Sequence, residues 1–167
     1  GPQGLMSEVR PNQLFAVRLP SSALSRERQT SLVSACERDL LTPFGLRTLA
    51  AGSAKYRARF EGPLFERDGA YHNGTVWPWL LGPFCEAYLR VHAFSAEAKG
   101  RVRGWLMPLI DEMLASASSA REGVVLPVRQ VAEVYDADDG ATPRRPDGCM
   151  AQAWSAAELL RVLQLTA

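Results

Sequence analysis

The sequence predicts a mainly α-helical protein. Apolar residues recur at helical spacing in several long segments, glycine and proline separate these segments, and short β-branched patches are confined to the loops. The chain has 167 residues, of which 47% are hydrophobic, so it has enough apolar mass for one domain with its own core. Residues 1–5 precede Met6 and resemble a cloning remnant. We therefore expect a single helical domain over residues 6–167.

The first two helical segments lie in the N-terminal quarter. A short helix or extended segment is predicted over residues 14–19, halted by Pro20. Ser25 is a suitable N-cap for a helix that runs to Leu41, because its hydroxyl can accept a hydrogen bond from the first turn. The apolar residues that share one face of this helix are Leu32, Val33, Cys36 and Leu40.

Three further helices are predicted downstream. The first is placed around residues 77–91, where Gly82-Pro83 should bend or interrupt it. The second is capped by Ser95 and should kink at Pro108. The third covers residues 150–165. Their predicted inward faces are Trp77, Leu81, Phe84, Tyr88 and Val91; then Val102, Trp105, Leu106, Leu109, Ile110, Met113 and Leu114; then Ala153, Ala156, Leu160 and Leu163.

Two long segments show no sustained period. Residues 50–75 mix charged, glycine and aromatic residues, so they are interpreted as one long functional loop. Residues 120–148 are also predicted to be loop, with β-branched patches at Val124-Val125 and residues 131–135. Long loops on a helical scaffold are typical of a site built on a rigid frame.

Charge and cysteine usage exclude several classes of function. The net charge is +1, without a basic run, which argues against nucleic-acid and membrane partners. Cys36, Cys85 and Cys149 are odd in number and far apart, so no disulfide framework is predicted and a cytoplasmic setting is favoured. The two histidines lack paired Cys or His spacing, so neither a metal nor another cofactor is expected.

The richest stretch is residues 71–79, Tyr-His-Asn-Gly-Thr-Val-Trp-Pro-Trp. We call it the aromatic block. Indole faces beside imidazole and carboxamide groups suit a sugar, which offers apolar C–H faces and a rim of hydroxyls. The alternative is a buried aromatic cluster that caps a helix.

Other candidates each have a structural alternative. Glu133 lies between apolar residues, where partial burial can tune a carboxyl group for catalysis, or where backbone amides can simply satisfy it. Cys85 fits an inert buried thiol better than a nucleophile, and His92 fits a helix end. Arg144-Arg145 is interpreted as a solvated turn. Gln152 and Trp154, at the start of the last helix, can contact a ligand or close the core.

Four blocks occur in a specific order: Arg-Pro-Asn-Gln at residues 10–13, the aromatic block, Ala-Glu-Val-Tyr-Asp at 132–136, and Ala-Gln-Ala-Trp-Ser at 151–155. Together they resemble the C-terminal part of the amylo-α-1,6-glucosidase domain of glycogen debranching enzymes. The resemblance covers nearly all of residues 9–165. It implies a partial (α/α)₆ toroid, the second half of a barrel of helical hairpins with long interhelical loops.

The resemblance also implies an activity. The family hydrolyses α-1,6-linked glucose from glycogen-type α-glucans with inversion and without a metal, and Glu133 stands at the position of its general base. The substrate-binding residues that the resemblance and the residue types suggest are Asn12, Gln13, His72, Asn73, Trp77 and Gln152.

One part of the family pattern has no counterpart here. The family's general acid is an aspartate in a Trp-x-Asp-type motif upstream of the Arg-Pro-Asn-Gln block, and Asp68 does not match that motif. We therefore expect this chain to be inactive alone. The alternatives are a non-catalytic carbohydrate-binding or regulatory module, one half of a split enzyme completed by an N-terminal half, or a purely structural helical domain.

A half-toroid would leave helix faces uncovered, because the missing hairpins would normally pack on them. Exposed apolar surface of this kind favours association. The expected partners are therefore a complementing half or further copies of the chain, in addition to the glucan.

Overall fold

The computed structural model describes residues 8–114, 130–137 and 144–167. Within these residues the protein is mainly helical, which confirms the predicted class. The helices are a 3₁₀ turn Pro11–Leu14, α1 Phe15–Arg18, α2 Arg26–Leu40, α3 Leu64–Tyr71, a second 3₁₀ turn Pro78–Leu80, α4 Leu81–Val91, α5 Ala96–Leu114 and α6 Ala153–Thr166.

Both predicted serine caps are present. The Ser25 hydroxyl accepts a hydrogen bond from the Arg28 N–H at 3.4 Å, and the Ser95 hydroxyl accepts one from the Ala98 N–H at 3.2 Å. These bonds satisfy N–H groups that have no partner within the first turn of a helix. α5 continues past Pro108 to Leu114.

α4 is the central helix of the fold. It contacts α1, α2, α5 and α6, and every residue from Leu81 to Leu89 is buried, so the expectation of a single apolar face was wrong. The expected break at Gly82-Pro83 is also absent. Since the helix begins at Leu81, Pro83 lies in the first turn, where a missing N–H costs little.

Gly82 is required by the close approach of α6. A Cβ at this position would come within 2.7 Å of the Glu158 Cβ. Any side chain here would push α4 and α6 apart. Gly82, which the sequence analysis interpreted as a helix breaker, instead allows the two helices to pack closely.

The aromatic block joins a small antiparallel sheet that the sequence did not reveal. Its strands, in spatial as well as chain order, are β1 Leu41–Thr42, β2 Gly45–Arg47, β3 Val76–Trp77, β4 Val134–Tyr135 and β5 Pro146–Asp147. Val76 pairs with Tyr135, which brings the aromatic block beside the segment that carries Glu133. Trp77 therefore lies in a strand rather than on the predicted helix face.

Other expectations need correction. Residues 50–75 are not all loop, because α3 lies within them. Residues 120–148 were also expected to be loop, but β4 and β5 lie within them; Val124-Val125 lies outside the described residues. The last helix buries a different face from the predicted one, comprising Ser155, Leu159, Val162 and Thr166.

The orientation of α6 follows from an ion-pair network at its contact with α4. Glu86 of α4 is only 8% exposed and accepts hydrogen bonds from Arg161 at 2.7 Å, Arg18 at 2.9 Å and Arg90 at 2.8 Å. Arg161 also pairs with Glu158 at 2.7 Å. Because a nearly buried carboxylate needs these partners, the charged side of α6 turns inward, and Leu160 and Leu163 turn outward.

We name the outward-facing residues Leu160 and Leu163 the α6 stripe; they are three positions apart and 64% and 37% exposed. We expect the protein to self-associate through this apolar surface, and Leu160→Lys to reduce that association. Light scattering would measure the change, with Leu19→Lys at another exposed leucine as the control. A monodisperse mass near 18.3 kDa for the unaltered chain would contradict the prediction.

Of the helices in the described ranges, none has both the length and the apolar character needed to cross a bilayer.

Candidate active site

A pocket of about 300 Å³ lies where the N-terminal 3₁₀ turn, the aromatic block and the start of α6 meet. Three of the substrate-binding residues predicted from the sequence, Asn12, His72 and Trp77, line it. The complete lining is Arg10, Pro11, Asn12, Thr48, His72, Trp77, Trp79, Leu80 and Trp154.

Aromatic rings form one wall of this pocket. His72 stacks parallel to Trp77 with ring centroids 5.9 Å apart, and Trp154 lies edge-on to Trp77 at 6.1 Å and stacks on Trp79 at 5.2 Å. The Trp77 indole N–H donates to the Tyr71 carbonyl at 2.9 Å, which fixes the ring orientation. A wall held in this way can stack on an apolar sugar face without first being ordered.

Arg10 fixes the polar side of the pocket. Its guanidinium donates to the His72 carbonyl at 2.7 Å and to the Asn73 side-chain oxygen at 3.0 Å. The Asn73 amide also donates to the Gly69 carbonyl at 2.8 Å, so this side chain holds the loop together. Arg10 belongs to the Arg-Pro-Asn-Gln block, but the sequence did not predict its contacts with His72 and Asn73, which lie more than 60 positions away.

Two other residues predicted to bind substrate, Gln13 and Gln152, lie outside the pocket lining. The Gln13 amide donates to the Glu8 carbonyl at 3.1 Å. Gln152 is the N-cap of α6, and its backbone N–H donates to the Val131 carbonyl at 2.8 Å. Neither is among the residues that line the pocket. Trp154, two positions further on, reaches it instead.

Glu133 precedes β4 and is partly buried. Its Oε1 accepts a hydrogen bond from the Tyr71 hydroxyl at 2.7 Å, and its Oε2 accepts one from the Cys149 N–H at 3.0 Å. Gly148 has a φ of +70°, and a Cβ there would come within 2.5 Å of Oε2, so a side chain at this position would be strained and would displace the carboxylate. Glu133 is not among the residues that line the pocket, but its hydrogen-bond partner Tyr71 packs against the lining residue Trp77.

Tyr71 connects the carboxylate to the aromatic wall. Its ring lies edge-on to Trp77 at a centroid distance of 4.6 Å and also packs against Phe60 at 5.4 Å. Burial raises the pKa of the Tyr71 hydroxyl, and the hydrogen bond to Glu133 and the negative charge of Glu133 raise it further. The phenol therefore stays protonated at neutral pH and keeps donating to Glu133.

The neighbouring carboxyl group, Asp136, makes contacts that hold the fold together. It is nearly buried, and burial raises its pKa, although its Oδ1 accepts the Phe60 N–H at 2.9 Å. Arg144 is buried and donates to the Asp136 carbonyl at 3.1 Å, while Arg145 pairs with Asp147 at 2.6 Å. The prediction of a solvated turn at Arg144-Arg145 was therefore wrong for Arg144.

The structure also places the remaining candidates. Cys85 is fully buried in α4, and burial raises the pKa of its thiol, as expected for an inert cysteine. His92 is exposed at the C-terminus of α4 and packs on Tyr88. Among the described residues, no three His, Cys, Asp or Glu side chains are grouped so that they could hold a metal ion.

Fold and site together define a helical domain whose interhelical segments form an aromatic pocket, with a hydrogen-bonded carboxylate one side chain away. The family model described as amylo-alpha-1,6-glucosidase matches residues 4–161, and the chain belongs to this family. The match confirms the resemblance to a glycogen debranching enzyme C-terminal-type domain. Comparison with curated proteins found no match.

Proposed function

We propose that this chain is the part of a glycogen-debranching-type α-1,6-glucosidase that binds the glucose residue to be released and supplies Glu133 as the general base. Family membership supports the reaction class. The observation that carries the assignment is the Tyr71 side chain, which contacts the pocket wall at Trp77 and hydrogen-bonds Glu133 at 2.7 Å. One side chain thereby links the sugar wall to the base.

The proposed chemistry is hydrolysis with inversion. Glu133 removes a proton from a water molecule, which attacks the anomeric carbon on the face opposite the departing oxygen. Tyr71 and the Cys149 N–H each occupy one lone pair of the carboxylate, and the remaining lone pairs are free to accept the water proton. Inversion also needs a general acid about 6.5–9.5 Å from the base.

None of the described residues that line the pocket is a carboxylate. The proposal therefore assigns the acid to the upstream Trp-x-Asp-type segment that the family resemblance implies. In the complete enzyme the two segments would close a helical toroid, in which α4 and α5, joined by the turn at residues 92–95, form one hairpin. Three unpaired cysteines support a cytoplasmic setting.

Sugar binding in the pocket is tested with the two histidines of the chain. We expect His72→Ala to weaken the binding of isomaltose about tenfold or more, since it removes a ring that lines the pocket and stacks on Trp77. His92→Ala is the matched control, because His92 lies at the far end of α4. Tryptophan fluorescence would follow the titration. Equal isomaltose affinity in both variants would refute the assignment of this pocket.

A second candidate is a carbohydrate-binding or regulatory module, or one half of a split enzyme. The absence of a carboxylate among the described lining residues favours it for this chain in isolation. Mixing the chain with a segment that carries the acid discriminates the two. Glucose release on mixing supports a catalytic role, either as part of one enzyme or as half of a split enzyme, whereas sugar binding without any glucose release supports the non-catalytic module.

A further inference from the structure

A second cavity lies at the opposite end of α4 from the aromatic pocket of the candidate active site. It has a volume of about 470 Å³ and is formed where α1 and the turn after it meet the first turn of α2 and the C-terminal end of α4. It shares no lining residue with the aromatic pocket, and α4 separates the two by about 15 Å. We call this cavity the arginine pocket, after its lining residues Arg26 and Arg90.

Both arginines are held in place and still have hydrogen-bond donors to offer. Arg26 on α2 donates from Nη2 to the Val91 carbonyl at 2.8 Å, and no group among the described residues accepts from its Nε or Nη1. Arg90 on α4 donates to Glu86 from Nε at 3.1 Å and from Nη2 at 2.8 Å. Within the same part of the chain, its Nη1 has no acceptor. A ligand in the pocket can therefore bind both guanidinium groups without displacing these contacts.

The turn between α1 and α2 adds two hydroxyl groups, those of Ser21 and Ser22. The Ser22 Oγ accepts the Leu24 N–H at 3.2 Å, so its own proton remains to be donated. Donors therefore come from three separate elements, which are the turn, α2 and α4. Such a set suits the three outer oxygens of a phosphate group better than the two oxygens of a flat carboxylate.

The arginine pocket carries an excess of positive charge. None of the described residues that line it is acidic, and Glu27, the exposed neighbour of Arg26, lies outside the lining. The hydrogen-bond partner of Arg26 is a neutral carbonyl. The ion-pair network that holds Arg90 joins three guanidinium groups to two carboxylates, so one positive charge remains; its members are Arg18, Arg90, Arg161, Glu86 and Glu158. This excess attracts an anion.

Phe94 gives the arginine pocket an apolar edge. It lies in a turn where Ala93 and Phe94 have φ values of 50° and 52°, a left-handed conformation that is uncommon for residues other than glycine. The Phe94 N–H donates to the Leu89 carbonyl at 2.8 Å, which holds the turn against the end of α4. The Phe94 ring lines the pocket and is 37% exposed, so the ring of a ligand can stack on it.

We propose that the arginine pocket binds a small phosphomonoester that carries a ring. The phosphate group is bound by Arg26, Arg90 and the two serine hydroxyls, and the ring packs on Phe94. The volume of the pocket lies within the range of about 300–1,000 Å³ that is typical of small-molecule sites. This site is separate from the aromatic pocket and does not depend on the glucosidase assignment.

Calorimetric titration with phenyl phosphate and inorganic phosphate tests the proposal, since phenyl phosphate combines the two groups that the pocket recognises. We expect phenyl phosphate to bind about tenfold more tightly than inorganic phosphate. Arg26→Gln should weaken phenyl phosphate binding about tenfold. Arg28→Gln is the matched control, because it removes the same charge from an exposed residue in the same turn of α2 but outside the lining, and it should change the affinity less than about twofold.

Phe94→Gly tests the contact with the ring. Glycine removes the side chain and suits the left-handed backbone, so the turn is not disturbed. We expect this variant to bind phenyl phosphate about three- to tenfold more weakly and inorganic phosphate as before. Melting curves without ligand verify that each variant is folded.

Three results would overturn the proposal. The first is an unmodified protein that does not bind phenyl phosphate at about 10 mM. The second is equal weakening in Arg26→Gln and Arg28→Gln, which would indicate attraction to the general surface charge rather than binding in the pocket. The third is equal affinity of the unmodified protein for phenyl phosphate and inorganic phosphate, which would show that the ring makes no contact.

Discussion

Glu133→Gln is expected to lower the rate of glucose release by about 10²–10⁴-fold while sugar affinity stays the same. Glutamine keeps the shape of the side chain and can still accept the Tyr71 hydrogen bond, but it cannot take a proton from water. The assay measures glucose release from an α-1,6-branched oligosaccharide when the chain is combined with the segment that carries the general acid. kcat should fall and KM should not.

The matched control is Glu97→Gln, at an exposed carboxylate in the first turn of α5. Tyr71→Phe separates positioning from proton transfer, since it removes the hydrogen bond to Glu133 and keeps the base. We expect Tyr71→Phe to lower kcat by a smaller factor than Glu133→Gln. Undiminished glucose release by the Glu133→Gln variant would refute the assignment of the general base.

Glu86→Gln should have the largest effect on stability, lowering the free energy of unfolding by about 2–4 kcal/mol. The carboxylate accepts hydrogen bonds from three guanidiniums, on α1, α4 and α6, and its loss leaves these cations without their common partner. The lower part of the range applies if water reaches the arginines, which are 26–34% exposed. Urea unfolding at neutral pH measures the change.

The same network predicts the direction of the pH dependence. Burial acts to raise the pKa of the Glu86 carboxyl, but the hydrogen bonds and charges of Arg90, Arg18 and Arg161 outweigh it and hold the pKa below its usual value of 4.5. The network therefore stabilises the fold fully above that value, and its contribution is lost as the pH falls through the lowered pKa. The stability gap between the unaltered chain and Glu86→Gln should close in acid.

Asp111→Asn, at an exposed carboxylate on α5, is the control and should change the free energy of unfolding by less than about 0.5 kcal/mol. A Glu86→Gln variant as stable as this control would show that the ion pairs contribute nothing measurable to stability.

Local sequence patterns were sufficient to locate the long helices and the first residues of α2 and α5. Ser25 and Ser95 begin α2 and α5 because a cap needs only a hydroxyl and the N–H groups a few residues away. The aromatic block could likewise be recognised as a candidate sugar-binding stretch, since its composition alone indicates an apolar wall with hydrogen-bonding groups. The order of the four short motifs also indicated the family.

Long-range contacts determine the features that local patterns did not predict, which are the pairing of the strands and the orientation of α6. Strands of two or three residues are too short to show a period, so the sheet that places the aromatic block beside Glu133 had no local signal. α6 turns Leu160 and Leu163 outward because Glu86 on another helix needs Arg161. Local preferences act between residues a few positions apart, whereas the pairing of Tyr71 with Glu133 depends on how the whole chain packs.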